Sequence, residues 1–181
     1  MNKNHIVKEL KHNNMELWEV LDKNGNNTGE IMKKNDETFF KKGFCHLGAE
    51  VWIINSENKF LIQKRASNKK IFPNMWAMMG GSVIVGENSK QTIVREAKEE
   101  LNINIDINKL EFITKFRVDS LIVETYLLKN DFEIKNMKLK KDEVSEVKWM
   151  TLQEIEKLVE KEQFFENRWK YVKKYLDNLY I

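Results

Sequence analysis

The stretch GSVIVGENSKQTIVREAKEELNI, residues 81–103, decides the fold of this chain. From Ser89 to Leu101 it holds no glycine or proline, and either Asn88 or Ser89 can cap the start of a helix. Apolar residues recur there at helical spacing and predict a buried stripe, formed by Ile93, Val94, Ala97 and Leu101. The stretch therefore predicts an amphipathic helix that packs against the rest of the protein.

A second face of the same helix carries three carboxylates. Glu96, Glu99 and Glu100 fall together because residues three and four apart are neighbours on a helix. Like charges at this spacing repel, so a helix kept only for stability would place lysines among them. One interpretation is a solvated acidic face. The other is a site for Mg²⁺ or Mn²⁺, which prefer carboxylate oxygens.

The fixed residues of this stretch resemble a known motif. Gly81, Glu87 and the run Arg95-Glu96-Ala97-Lys98-Glu99-Glu100 match the Nudix box, G-x5-E-x7-R-E-U-x-E-E-x-G-U with U aliphatic. The departure is Asn102, which stands where the family has glycine. Asparagine is the commonest other residue in the left-handed conformation that a helix end needs.

The resemblance extends from about Trp18 to Leu158 by order of elements. It implies the Nudix fold, an α/β/α sandwich around a mixed β-sheet, with an N-terminal β-hairpin and C-terminal helices. We expect residues 1–181 to form a single Nudix domain, with 1–14 as a poorly specified lead-in and 151–181 as the C-terminal helices.

The resemblance also implies roles for the matching residues. Glu99 and Glu100 would be metal ligands, and Glu96 would be a ligand or the general base. The pair of Glu87 and Arg95 would orient the loop against the helix. The implied reaction is Mg²⁺- or Mn²⁺-dependent hydrolysis of a diphosphate linkage in a nucleoside diphosphate derivative or a related organic diphosphate. Cations are needed because the charged oxygens of a diphosphate repel a nucleophile.

Residues before the helix are candidates for binding substrate. Gly80 and Gly81 would let the backbone approach a phosphate or a metal closely, with a backbone group near Gly81 as a further metal ligand, although a plain tight turn also explains them. Arg65 follows a strand and could hold substrate phosphates. Trp76 belongs either to the core or to the wall of the substrate pocket.

One more carboxylate is expected in the metal site. Many Nudix enzymes use an acidic group outside the box, and this chain offers Glu124, Glu143 and Glu146. Glu143 is the first choice because it lies in a loop that approaches a strand.

The flanking sequence is similar to a branch of the family grouped with isopentenyl-diphosphate isomerase. The similar segments are WEVLDKNGNNTGE (18–30), LIQKR (61–65), FPNMW (72–76) and DEVSEVKWM (142–150). The isomerases place a catalytic cysteine and a metal-binding histidine just before the helix, where this chain has Gly80 and Ser82. The resemblance therefore favours hydrolysis. A non-catalytic nucleotide-binding sensor is a third hypothesis, against which the complete set of glutamates argues.

Hydrophobic patterns predict the remaining elements. A hairpin is expected over Leu17–Met32, and strands over His46–Asn55, Phe60–Arg65, Trp76–Met79, Glu111–Val118, Leu121–Leu128 and Val144–Met150. Thr151 and Glu154 predict a capping box. A last helix over about Gln163–Leu179 carries a core-facing stripe of Phe165, Trp169, Val172, Leu176 and Leu179. Residues off this stripe would suit a homodimer contact: Phe164, Tyr171 and Tyr175.

Composition limits the classes of protein. The 31 basic and 28 acidic residues give a net charge of +3, which is too mild to predict a nucleic-acid partner. Cys45 is the only cysteine, so an internal disulfide is excluded. No apolar run approaches the length of a membrane span, and the N-terminus lacks the apolar region of a signal peptide. We expect a cytoplasmic protein with a small-molecule diphosphate substrate and no membrane partner.

Overall fold

The computed structural model describes residues 16–34, 36, 38 and 43–178, so the lead-in predicted over 1–14 lies outside the described residues. Strands β1 (Leu17–Leu21) and β2 (Asn27–Lys33) pair antiparallel and confirm the predicted hairpin. Between them, Asp22 Oδ1 accepts the backbone N–H groups of Asn24 and Asn26 at 2.8 and 2.9 Å. This side chain therefore closes the turn by bonding to the backbone that follows it.

Seven further strands form one mixed sheet: β3 (His46–Ile54), β4 (Phe60–Arg65), β5 (Trp76–Ala77), β6 (Met79–Ser82), β7 (Glu111–Val118), β8 (Leu121–Lys129) and β9 (Val144–Met150). β3 and β8 run parallel along the whole of β3, and the other pairs are antiparallel. The other edge of β3 is shared, because β6 pairs along Gly48–Val51 and β4 joins only at Ile54.

The strand predicted over Trp76–Met79 is two strands. β5 pairs with β4, whereas β6 pairs with β3, so the chain changes partner at Met78. Met78 is itself buried, at 3% exposure. The apolar run predicted burial correctly but could not reveal that its two halves pair with different strands.

The two faces of the sheet carry separate hydrophobic cores. Along β3, Trp52 and Ile54 point to one face, where they meet the last helix, and Val51 and Ile53 point to the other, where they meet the helix of the quoted stretch. All four side chains are at most 6% exposed. Helices therefore cover both faces, which confirms the predicted α/β/α sandwich.

The quoted stretch forms helix α1 (Ser89–Glu96) and then a π-helical turn (Ala97–Leu101), rather than the single α-helix predicted. Asn88 is the cap: its side chain accepts the N–H of Gln91 at 2.9 Å, and the Gln91 side chain accepts the N–H of Asn88 at 2.9 Å. π-turns occur mostly as single turns inside helices, frequently at functional sites. Here the turn contains two of the three clustered glutamates.

Asn102 ends the π-turn in the left-handed conformation, with φ 57° and ψ 33°. Its N–H donates to the carbonyl of Ala97, which also accepts the N–H of Ile103 at 3.2 Å at this helix end. Asn102 therefore has the left-handed backbone conformation that glycine readily adopts at this position of the motif.

The C-terminal part contains helix α2 (Leu152–Glu160) and helix α3 (Glu166–Asp177). Thr151 and Glu154 form the predicted capping box at the start of α2. α3 begins three residues later than predicted, because the preceding segment lies against β5: the Trp76 N–H donates to the Gln163 carbonyl at 2.9 Å.

Two of the three residues predicted for a dimer contact, Phe164 and Tyr171, pack within the chain itself. Phe164 is 1% exposed and lies 6.0 Å from Trp52 between ring centroids, so its predicted use in a dimer contact was wrong. Tyr171 stacks on Phe116 at 4.4 Å. Leu179 lies outside the described residues. A homodimer stays a prediction without an assigned surface.

None of the helices in the described part of the chain is long and apolar enough to cross a membrane.

Substitutions at Asn102 test the backbone argument. Asn102→Val should lower the free energy of unfolding by about 1–2 kcal/mol, because a β-branched residue is strained in the left-handed region. Asn102→Gly should raise it by no more than about 1 kcal/mol, since glycine removes strain but gains freedom in the unfolded chain. Urea unfolding measures both, and a valine variant as stable as the parent protein would contradict the argument.

Candidate active site

Gly80 and Gly81 lie within β6, so they belong to an extended strand and not to the tight turn that was the alternative explanation. A Cβ at Gly80 would stand 2.3 Å from the carbonyl oxygen of Ala49, on the neighbouring strand. A Cβ at Gly81 would stand 2.1 Å from Glu96 Oε1. Gly80 is therefore required by the close approach of backbone, whereas a side chain at Gly81 would displace the Glu96 side chain. Gly81 leaves the space that the Glu96 carboxylate fills.

Arg95 joins the loop before α1 to the carboxylate cluster. Its Nε donates to both oxygens of Glu87, at 2.9 and 3.1 Å, and Nη1 donates to Glu96 Oε1 at 2.9 Å. Thr92 Oγ1 also donates to Glu87, at 2.8 Å. The structure thus places Glu87 and Arg95 in contact, and their orienting role stays a prediction.

The three glutamates of the cluster have different surroundings. The Glu99 side chain is half exposed, whereas that of Glu96 is 16% exposed and faces Arg95. Glu100 is buried and accepts a hydrogen bond from Gln63 Nε2 at 2.8 Å. The helix end therefore presents one outer carboxylate and two that the protein encloses.

One cavity of about 510 Å³, here called the acidic cavity, collects most of the predicted site. Its acidic lining includes the three glutamates with Glu143, Asp142 and Glu16, and its basic lining is Lys34, Arg65, Lys69, Lys70 and Lys140. Gly80, Gly81 and Ser82 form its floor on β6. Carboxylates and cations thus surround a single solvent-filled space.

Glu143 is the candidate outside the helix that reaches the acidic cavity, where it pairs with Lys69. It is carried there by the segment before β9, whose Lys140 N–H donates to the Glu100 carbonyl at 2.8 Å. Of the other candidates, Glu124 accepts from Ser89 Oγ at 2.5 Å at the start of α1, and Glu146 pairs with Lys148.

The acidic cavity holds the donor types that Mg²⁺ or Mn²⁺ would require, since hard cations take carboxylate and carbonyl oxygens. Within residues 16–34, 36, 38 and 43–178, however, no group of three or more His, Cys, Asp or Glu side chains is gathered closely enough to hold an ion. Glu96 turns to Arg95, Glu100 to Gln63 and Glu143 to Lys69. The residue types fit a divalent cation, but the glutamate side chains would have to change rotamer to bring their carboxylates around one ion.

Arg65 and Trp76 occupy different places. Arg65 lines the acidic cavity, and its Nε and Nη2 donate to the carbonyls of Phe72 and Ile71 at 3.2 and 3.0 Å. Trp76 is 7% exposed in the core beside α3. The ammonium groups of Lys64 and Lys148 lie 5.7 and 5.2 Å from its ring. Trp76 lines none of the described cavities, so the prediction that it contacts substrate receives no support.

Gln63 is a site residue that the sequence did not reveal. It lies on β4, is 5% exposed and bonds to Glu100 from 37 positions away. A polar residue in the apolar run of a buried strand was the available signal, because a buried amide requires hydrogen-bond partners.

Burial raises the pKa of Glu100 to about 7, from an ordinary value of 4.5. The Gln63 hydrogen bond opposes this shift, and the charges of Glu96 and Glu143 add to it. Burial also raises the pKa of Glu96, against the effect of Arg95. For Arg95 itself, burial lowers the pKa, but the bonds to Glu87 and Glu96 outweigh it and the pKa is raised. The enclosed carboxylates are therefore sites where an added positive charge would be stabilising.

The thiol expected of an isomerase is absent from the described part of the cavity. Cys45 is fully buried beside Leu21, and Gly80 has no room for a side chain against Ala49. The structure thus agrees with the preference for hydrolysis over isomerisation.

Comparisons with known proteins agree with this geometry. Residues 46–175 match the NUDIX domain family model. The chain is 31% identical over 145 residues to an uncharacterized Nudix hydrolase of Listeria monocytogenes, covering 80% of this chain and 85% of the relative. It is 25% identical over 133 residues to the prenyl-diphosphate phosphatase of Methanosarcina mazei, covering 72% and 78%. A crystal structure from Deinococcus radiodurans matches with a TM-score of 0.63 at 21% identity, over 77% of this chain and 86% of that one. At that identity the structural likeness shows the fold alone.

The raised pKa of Glu100 predicts a pH-dependent effect of Glu100→Gln in metal-free buffer with a chelator. Because the folded pKa lies above the unfolded one, the folded state binds the extra proton, and the stability of the parent protein falls as pH rises from about 4.5 to about 7. The variant lacks this loss. Its advantage in unfolding free energy should grow between pH 5 and pH 8 by up to about 3 kcal/mol.

Urea unfolding of both proteins at the two pH values measures this difference. Glu146→Gln is the matched control, since Glu146 pairs with Lys148 at the surface. An advantage of Glu100→Gln that is equal at both pH values would contradict the raised pKa.

Proposed function

The chain belongs to the Nudix family, whose members act on pyrophosphate bonds, and on that premise we propose that it hydrolyses a diphosphate linkage with Mg²⁺ or Mn²⁺. The proposed substrate is a nucleoside diphosphate derivative or a related organic diphosphate. A cytoplasmic location and the absence of a nucleic-acid partner stay predictions.

A single observation carries the proposal. The glutamates at the end of α1 share one cavity with cations from three other segments of the chain. Carboxylates alone would repel a diphosphate, and cations alone would bind it without activating water. The combination suits a reaction in which metal ions neutralise phosphate oxygens while fixed cations position the substrate.

Glu96, Glu99 and Glu100 are the residues that would hold the metal, with the Gly81 carbonyl and Glu143 as further candidates. When bound, the metal would polarise the phosphoryl oxygens and lower the pKa of an attacking water. Arg95 limits the freedom of Glu96 by its bond at 2.9 Å, and Glu87 fixes Arg95 in turn. This chain of contacts would keep the carboxylate aimed at the cavity.

Three cations are suited to bind substrate phosphates. Lys70 and Lys140 pair with no carboxylate among the described residues, and both line the acidic cavity. Arg65 is oriented by backbone carbonyls and keeps its charge available. Lys34 and Lys69 are instead paired with Glu16 and Glu143. The unpaired cations would hold the substrate, because their charge is not already neutralised.

Removing a proposed ligand should abolish turnover while the fold survives. Glu99→Gln or Glu100→Gln should lower kcat by several orders of magnitude, because each removes charge that binds a catalytic cation. Glu146→Gln should leave kcat unchanged, since Glu146 lies outside the acidic cavity. Release of phosphate or monophosphate with Mg²⁺, and its loss on chelation, is the measurement. An unchanged rate in Glu99→Gln and Glu100→Gln would place the metal elsewhere.

The substrate is to be sought in a metal-activated screen of nucleoside triphosphates, ADP-ribose, dinucleotide polyphosphates, FAD, NADH, CoA and prenyl diphosphates. If none of these is cleaved with Mg²⁺ or Mn²⁺, the hydrolase proposal is contradicted. Thermal stabilisation by one of them without turnover would instead support the sensor hypothesis. Proton exchange into isopentenyl diphosphate in D₂O would revive the isomerase hypothesis.

A further inference from the structure

Lys69 and Glu143 form an ion pair in the lining of the acidic cavity. Their side chains are 24% and 27% exposed, so the pair is partly enclosed but reached by solvent. The loop after β4 carries Lys69, and the segment before β9 carries Glu143, 74 residues further along the chain. The ammonium group of Lys69 therefore neutralises a carboxylate that is a candidate metal ligand.

Backbone hydrogen bonds hold the two segments together without the ion pair. The Ala66 N–H donates to the Glu143 carbonyl at 2.9 Å, and the Lys69 N–H donates to the Ala66 carbonyl at 3.3 Å. Neither bond involves the ammonium group, which ends a flexible four-carbon side chain. The Lys69 side chain can therefore leave Glu143 while the backbone of both segments stays in place.

Glu143 lies close to Glu100, the buried carboxylate in the π-turn that follows α1. The Glu143 N–H donates to the Lys140 carbonyl at 2.8 Å, and the Lys140 N–H donates to the Glu100 carbonyl at 2.8 Å. The charge of Glu143 also contributes to the raised pKa of Glu100. Among the residues that the structure describes, the only cation in ion-pair contact with either carboxylate is Lys69. Two neighbouring carboxylates are thus compensated by one monovalent cation.

A divalent cation is the stronger partner for these carboxylates. Mg²⁺ and Mn²⁺ carry twice the charge of an ammonium group and prefer carboxylate oxygens. The ammonium group is strongly hydrated and keeps its charge when it moves into a solvent-filled cavity. Arg95 differs, because its bond to Glu87 at 2.9 Å fixes it beside Glu96. The pair that a divalent cation can separate is therefore that of Lys69 and Glu143.

We propose that Lys69 is an internal counter-ion, which a divalent cation displaces from Glu143, and that the released ammonium group then binds a phosphate of the substrate. The inference rests on the proposed hydrolysis for the identity of the cation and of the substrate. It adds that one lysine alternates between two partners and that the bound cation decides which. By linkage, the cation and the phosphate then strengthen each other's binding through Lys69.

Binding of Mn²⁺ to the full chain without substrate tests the displacement and involves no turnover. The electron paramagnetic resonance signal of free Mn²⁺ measures the affinity. Lys69→Met should bind Mn²⁺ about tenfold more tightly than the parent protein, because no ammonium group then competes for Glu143. Lys70→Met is the matched control, since Lys70 lines the same cavity and pairs with no carboxylate among the described residues. Its gain should be about twofold or less, from the general loss of positive charge.

A double variant locates the effect at the ion pair. Glu143→Gln alone should weaken Mn²⁺ binding, because it removes a proposed ligand. In that background the ion pair is absent, so Lys69→Met should raise Mn²⁺ affinity no more than Lys70→Met does. The tenfold gain from Lys69→Met should therefore depend on the Glu143 carboxylate.

Binding of methylenediphosphonate in metal-free buffer with a chelator tests the release. In this probe a carbon atom replaces the bridging oxygen of a diphosphate, so the probe is not hydrolysed. Glu143→Gln should bind it about tenfold more tightly than the parent protein in calorimetry, because Lys69 is then released without a metal. The control is Asp142→Asn, which removes a charge from the same cavity and should raise the affinity about twofold or less. Adding Lys69→Met to Glu143→Gln should abolish the gain.

Two results would overturn the inference. They are equal gains in Mn²⁺ affinity for Lys69→Met and Lys70→Met, and equal diphosphonate affinity for Glu143→Gln and Asp142→Asn. The variants change the ion pair from either side, so misfolding of one leaves the measurement on the other. If the parent protein binds no Mn²⁺, the proposed metal-dependent hydrolysis is contradicted together with the inference. Mn²⁺ binding with equal gains contradicts the inference alone.

Discussion

The hydrogen bonds of the Arg95 guanidinium are the interactions on which the arrangement of the site depends. The guanidinium donates to Glu87 and Glu96, approaches Glu99 at 3.4 Å and reaches the Ser82 carbonyl at 3.4 Å. One cation thereby connects β6, the loop before α1 and the carboxylate cluster. Removing one partner of a partly buried ion pair is strongly destabilising, because the other charge then lacks compensation.

The sheet decides what surrounds that cluster. β6 can approach both β3 and Glu96 because Gly80 and Gly81 have no side chains, and the partner change at Met78 places β6 there. The same glycines line the acidic cavity. A local packing requirement thus leaves open the space beside the carboxylate cluster.

The buried carboxylates in and near the site have partners of different chemical types. Glu96 faces a guanidinium, Glu100 faces an amide, and Glu50 faces both Arg168 and Thr125. Burial raises the pKa of all three carboxyls. Carboxyls with raised pKa values of this kind are concentrated at functional sites, although ion-pair networks that serve structure also produce them.

Much of this protein could be predicted from neighbours in the sequence. Helical periodicity placed Ile93, Ala97 and Leu101 in the core, strand patterns placed most of the sheet, and the backbone preference of asparagine predicted the left-handed end at Asn102. The motif also brought together Glu87 and Arg95 correctly. These features depend on residues a few positions apart, whose relative placement the backbone geometry fixes.

Tertiary structure alone decided the rest. Several features depend on which distant segments meet. They are the π-turn within the predicted helix, the strand that contains Gly80 and Gly81, the burial of Phe164, the core position of Trp76, and the contacts of Gln63 and Arg168. Gln63 and Glu100 are 37 residues apart, and Glu50 and Arg168 are 118 apart. The sequence determined the kinds of chemical group and their local spacing. Their partners were decided by sheet pairing and by the packing of helices on both of its faces, because long-range burial selects which polar groups must satisfy one another.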